Sequence, residues 1–158
     1  MQADQDAIQR INAVKYLYMR SIKEPVDNQL EIYVEQAVPN EEKRGLVAPP
    51  GAPPELAHLF LDVAPVETLP GCLGIRLRWS RYAAYQVTEQ YVGNGGVHDD
   101  EAFEGSHLRV YSKSHFLDHL ARNIGVHAAP LLHFKIMCEN HLIDVASEQP
   151  PTIELTTL

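Results

Sequence analysis

His107-Leu108-Arg109-Val110-Tyr111 reads as a strand, and Ser112 or Ser114 after it can cap a short helix running to Asn123, where Gly125 supplies a left-handed stop. Beyond it, Leu132, Phe134, Ile136 and Cys138 fall on one face of a second strand. Glu139-Asn140-His141 turns the chain, and Leu142 to Ala146 returns as the hairpin partner. The order strand, helix, strand over 107–139 leaves room for one parallel crossover, while the hairpin is antiparallel. This stretch sets the class as α+β rather than all-β.

Working outward, Ala7, Ile8, Ile11, Val14, Leu17, Tyr18 and Ile22 step by threes and fours, which predicts an amphipathic helix from Asp4 to Lys23, with Asp4 or Asp6 as cap. Glu24-Pro25 ends it, because a residue before proline avoids the helical region. Leu30-Glu31-Ile32-Tyr33-Val34-Glu35 alternates with period two and predicts a strand. Residues 38–54 hold Pro39, Pro49, Pro50, Pro53 and Pro54, a density that predicts a long surface loop. His58–Val63 and the stretch Leu73–Val92 predict two or three more strands, with a bulge or turn near Ser80–Ala84, and Ile153–Leu155 a last short one. The expected fold is α+β: a mainly antiparallel sheet of about five to seven strands with an N-terminal helix and one internal helix. Residues 1–158 are expected to form a single domain.

Composition fits a folded globular chain. Of 158 residues, 45% are hydrophobic and 22% charged, which excludes a disordered polyelectrolyte. Against 21 Asp+Glu stand 13 Lys+Arg, for a formal charge of −8. That sign repels phosphate backbones and speeds encounter with a basic protein. Two cysteines, Cys72 and Cys138, form neither a disulfide framework nor a structural zinc cluster, so reduced thiols are expected. The first residues lack the pattern of a secretory signal, and no apolar run approaches the ~18 residues of a membrane span. A cytoplasmic location away from any membrane is the expectation.

Three constellations carry possible chemistry. His115, Asp118 and His119 place two imidazoles and a carboxylate on one helix face, the spacing of metal ligands, although Asp is a methylene short of the usual general base and no third ligand helix follows. The plainer reading is a solvated polar face, and no cofactor is expected. Asp99, Asp100, Glu101 and Glu104 crowd around Phe103 after a glycine break, lacking the alternation of a calcium loop; they suit a solvated loop or a docking surface with Phe103 as anchor. Arg76, Arg78 and Arg81 interleave with Trp79, Tyr82 and Tyr85, so residues 71–92 are net +2 in an acidic chain. Arginines and aromatics on a sheet suit single-stranded nucleic acid, but pairing with the acids of neighbouring strands accounts for them more simply.

These features favour a small, acidic, non-enzymatic protein-binding module of inhibitor or immunity-protein type, engaging a basic partner through Asp99, Asp100, Glu101, Phe103 and Glu104. A metal-dependent hydrolase built on His115, Asp118 and His119 is the alternative, and a single-strand binder using Arg76–Tyr85 the second, nucleic acid being disfavoured by charge. A homo-oligomer is compatible with all three. His133 and Asp144 read as ordinary strand residues, hydrogen-bonded and solvent-facing respectively.

Overall fold

A computed structural model describes residues 2–46, 48–91, 100–123 and 129–158, with the side chains of residues 2–4 left aside. The chain is α+β. Helix α1 (Gln2–Ala13) leads into strands β1 (Tyr16–Lys23), β2 (Leu30–Pro39), β3 (Val66–Glu67) and β4 (Leu73–Trp79). Then follow β5 (Ala84–Glu89), β6 (Ala102–Glu104), β7 (Leu108–Lys113), helix α2 (His115–Asn123), β8 (Leu132–Met137), β9 (His141–Ser147) and β10 (Thr152–Thr157). The strands divide into two five-stranded sheets. The first has the order β1-β2-β4-β10 with β3 beside the end of β2; the second has the order β5-β9-β8-β7-β6. Among the described residues every pairing is antiparallel, including β7 with β8 across α2, so the strand-helix-strand order over 107–139 makes no parallel crossover.

One apolar layer joins the sheets. Leu30, Ile32 and Val34 of β2 and Ile75, Leu77 and Trp79 of β4 meet Leu108 of β7, Phe134 and Ile136 of β8, and Ile143 and Val145 of β9. Alternation makes this possible, since residues two apart on each strand share the inward face. Trp79 meets Phe134 edge-on across the gap, ring centroids 6.0 Å apart. The expected break near Ser80–Ala84 is where the chain leaves the first sheet for the second.

The predicted first helix is half helix and half strand. It stops at Ala13, and Tyr16–Lys23 pairs with β2. A register shift between Met19 and Ser21 stretches the inward spacing from two residues, Leu17 to Met19, to three, Met19 to Ile22, and a β-bulge of this kind imitates helical periodicity. His58–Val63 is not a strand either. Pro54–Phe60 winds as 3₁₀ helix in an excursion spanning residues 40–65, started by a proline whose fixed φ suits a helical first turn.

Asparagine side chains bolt the layers together. Asn12 Oδ1 accepts the backbone N–H groups of Ser106 at 3.0 Å and of His107 and Leu108 at 2.9 Å each. Asn140, in the β8–β9 turn, bonds both backbone groups of Met19 at 2.9 Å. Gly105 makes the first clamp possible: its φ is +95°, and a Cβ there would lie 2.1 Å from the Leu108 carbonyl oxygen.

Candidate functional site

The outward faces of the two sheets have opposite characters. On the first, the predicted arginine strand is neutralised in place. Buried Glu31 accepts Arg78 Nε at 2.6 Å and Lys23 Nζ at 2.9 Å, with Arg76 Nε at 3.6 Å. Glu154 of β10 takes Arg78 at 3.0 Å and Arg76 at 3.5 Å. Hydrogen bonds from Arg78 and then Lys23 hold the Glu31 carboxyl down at about 2. Trp79 lies in the core instead of beside the arginines, and Tyr82 turns its hydroxyl to Glu24, so the interleaved aromatics do not form one stacking platform with Arg76 and Arg78.

On the second sheet, outward residues are drawn under α2. Ser114 sits at the junction of β7 and α2, where its Oγ accepts the Leu117 N–H at 3.2 Å as an N-cap and lies 2.7 Å from His133 Nδ1. The opposite ring nitrogen, Nε2, lies 2.8 Å from Asp144 Oδ1. Gln86 donates to Asp144 Oδ2 at 3.0 Å, and Lys135 Nζ stands 3.4 Å from Oδ1. Burial by itself would raise the Asp144 pKa, but the bonds from His133 and Gln86 and the Lys135 charge outweigh it, and the carboxyl lies below its ordinary range. The ring of Tyr111 stacks on His133 at 4.3 Å, and Phe116 stands 5.1 Å away. Ser114, His133 and Asp144 are each 2–3% exposed.

The acidic segment joins the same region. Asp100 Oδ1 lies 2.8 Å from His115 Nε2, and this contact lowers the Asp100 pKa. Glu101 Oε1 accepts the His115 backbone N–H at 2.8 Å, at the amino end of α2. Phe103 is half-buried, 5.0 Å from Tyr111 and beneath the Arg109 guanidinium at 4.3 Å, contacts that pin β6 to the sheet. Glu104 is exposed on β6, whereas Asp99 lies outside the described residues, as does Gly125. Asp118 and His119 are exposed on α2, and His119 Nδ1 lies 3.3 Å from Asn123 Nδ2. Among the described residues no group of three or more His, Cys, Asp or Glu could hold a metal ion. Cys72 and Cys138 are buried and unbridged.

Sequence reading therefore found the acidic segment and the helix beside it, and missed the partners beneath them. Asp144 was expected to face solvent. One signal pointed elsewhere: it stands inside Leu142-Ile143-Asp144-Val145-Ala146, a run apolar on both faces, and a carboxylate there needs a partner. Compared with known proteins, the chain matches no family model, no curated protein and no solved structure.

Proposed function

We propose that this chain is a small acidic protein-binding module that engages a basic partner. The observation that carries the reading is the excursion between β2 and β3, which exposes Leu46, Leu56, Leu59, Leu61 and Val63, each 42–77% accessible, amid Glu42, Glu55 and Asp62. Apolar side chains concentrated on one polar-rimmed segment mark contact surfaces, and a loop of this length is more often used than idle. Gly45 N–H bonds the Val63 carbonyl at 3.0 Å, and the Arg44 guanidinium reaches the Asp62 carbonyl, so the stem of the excursion is closed.

Charge supports the sign of the partner. Arg76 and Arg78 are paired with Glu31 and Glu154, so the surface of a chain whose net charge is −8 is not interrupted there by a patch of uncompensated positive charge. In this reading Leu56, Leu59 and Leu61 supply apolar contact, while the acidic segment, with Asp100 and Glu101 just before β6 and Glu104 on it, steers encounter.

The test is capture from the native cell extract followed by mass spectrometry, run in parallel with L59S/L61S and with D100K/E104K. A basic protein retained by the native chain, lost with L59S/L61S and captured more slowly and with less salt sensitivity by D100K/E104K, is the expected result. Equal retention by all three overturns the reading.

A further inference from the structure

We propose that Ser114, His133 and Asp144 form a nucleophilic triad that cleaves small carboxylic esters, held closed by the Glu101 carboxylate. The inference goes beyond protein binding and stands on different residues from the leucine-bearing excursion. Its first support is the order of the hydrogen bonds. With the Nε2–H of His133 donated to Asp144 at 2.8 Å, Nδ1 carries the lone pair and accepts the Ser114 hydroxyl proton at 2.7 Å. The roles of the two ring nitrogens are exchanged relative to the chymotrypsin arrangement, but the linkage of carboxylate, imidazole and hydroxyl is the one that activates a serine.

The surroundings fit that use. Gln86 and Lys135 also hold Asp144, and the imidazole is stacked on Tyr111 with Phe116 tilted against it. A serine that served only to cap α2 would need neither the carboxylate nor those supports. Ser114 also stands where a strand turns into a helix, so the backbone N–H groups of the first helical turn gather beside its Oγ, the kind of donor that stabilises an oxyanion. The N–H immediately after the serine, that of His115, is occupied by Glu101 Oε1 at 2.8 Å. In the proposal this side-chain anion occupies a donor that would otherwise meet the charge of a tetrahedral intermediate; Ser114 itself is 3% exposed.

The steps balance without any outside oxidant or reductant. Ser114 Oγ attacks the ester carbonyl carbon as its proton passes to His133 Nδ1. The tetrahedral intermediate collapses, and the leaving alkoxide takes that proton and departs as alcohol. Water then attacks the acyl-serine, giving its proton to Nδ1, and the serine oxygen leaves with that proton as the acid is released. Tyr111 and Phe116 beside His133 make the surroundings of the triad apolar, which favours an ester with an apolar acyl group.

A fluorophosphonate probe tests the triad on the full chain: the Ser114 Oγ–P bond forms as the P–F bond breaks, fluoride leaves with the hydroxyl proton, and peptide mass spectrometry locates the adduct. The expected result is a slow adduct on Ser114 in the native protein, at least tenfold faster in Glu101→Ala, and at least a hundredfold slower in Asp144→Asn at matched circular dichroism. Ser114→Ala should give none, and Ser114→Thr, which keeps a capping hydroxyl, tests the site should loss of the cap unfold Ser114→Ala. Hydrolysis of a p-nitrophenyl ester should follow the same ranking. Absence of a Ser114 adduct in both native protein and Glu101→Ala, or labelling at another serine, overturns the triad; a Ser114 adduct no faster in Glu101→Ala overturns the role given to Glu101. Capture of a basic partner is measured separately and does not depend on either outcome.

Discussion

The outer faces of the two sheets solve the same problem in two ways. Each inner face is apolar, so each strand must place polar residues outward. On the first sheet those residues are long and of opposite charge, and Arg76, Arg78 and Lys23 pair with Glu31 and Glu154 at the edge of solvent, with the arginine side chains 39–45% exposed. On the second sheet α2 lies over part of the face, and Ser114, His133 and Asp144 are cut off from water. The difference teaches that alternation fixes which side a residue faces but not whether that side is wet. A wet lattice tolerates the loss of a member, because water replaces it. A dry one does not, because the group left behind has no other partner.

The sharpest way to break the contrast is Asp144→Ala, which strands His133, Gln86 and Lys135. About 3–5 kcal/mol of unfolding free energy should be lost in a urea titration, the range for orphaning a buried charged partner. Next comes Asn12→Ala, which removes the single acceptor of three backbone N–H groups; roughly 2 kcal/mol is expected by the same measurement. On the wet face, Glu31 supplies a pH signature. Its folded pKa of about 2 lies below the ordinary carboxylate value of 4.5, so its stabilisation is complete above pH 4.5 and is lost as pH falls toward 2. Because the arginine partners are well solvated, about 1–2 kcal/mol is the expected size, and Glu31→Gln should flatten that part of the acid profile. The smallest effect belongs to Lys43→Ala, whose ion pair with Glu67 at 2.8 Å joins side chains 53% and 34% exposed; less than about 0.5 kcal/mol should change. A cost at Lys43 matching that at Asp144 would dissolve the distinction between the faces.

Much of the architecture was legible because its signals are local. Ser114 ahead of Phe116 and Leu117 announced the start of α2, the alternation of β2 and β4 announced strands, and Glu139-Asn140-His141 announced a hairpin. The bulge beside Arg20 was not legible, since a spacing of three residues means one thing on a helix and another on a kinked strand. Pairing defeated the reading more deeply. Ser114 and His133 are 19 residues apart and His133 and Asp144 are 11 apart, and what joins them is the register of β8 against β9 and the return of α2 over the sheet. The acidic segment was visible as charge, but its attachment to α2 through Asp100 and Glu101 depends on β6 pairing with β7. Phe103 could be read as anchor or as pin, and the pinning contact with Tyr111 is visible only in the structure.

The side chain of Asn12 carries a consequence for exchange with solvent. Ser106, His107 and Leu108 owe amide protection to an oxygen on α1 instead of to a strand neighbour. In deuterated water these three amide hydrogens should exchange with the local opening of the helix and not with that of the sheet whose β7 begins at Leu108, reporting a cooperative unit that crosses the boundary between elements.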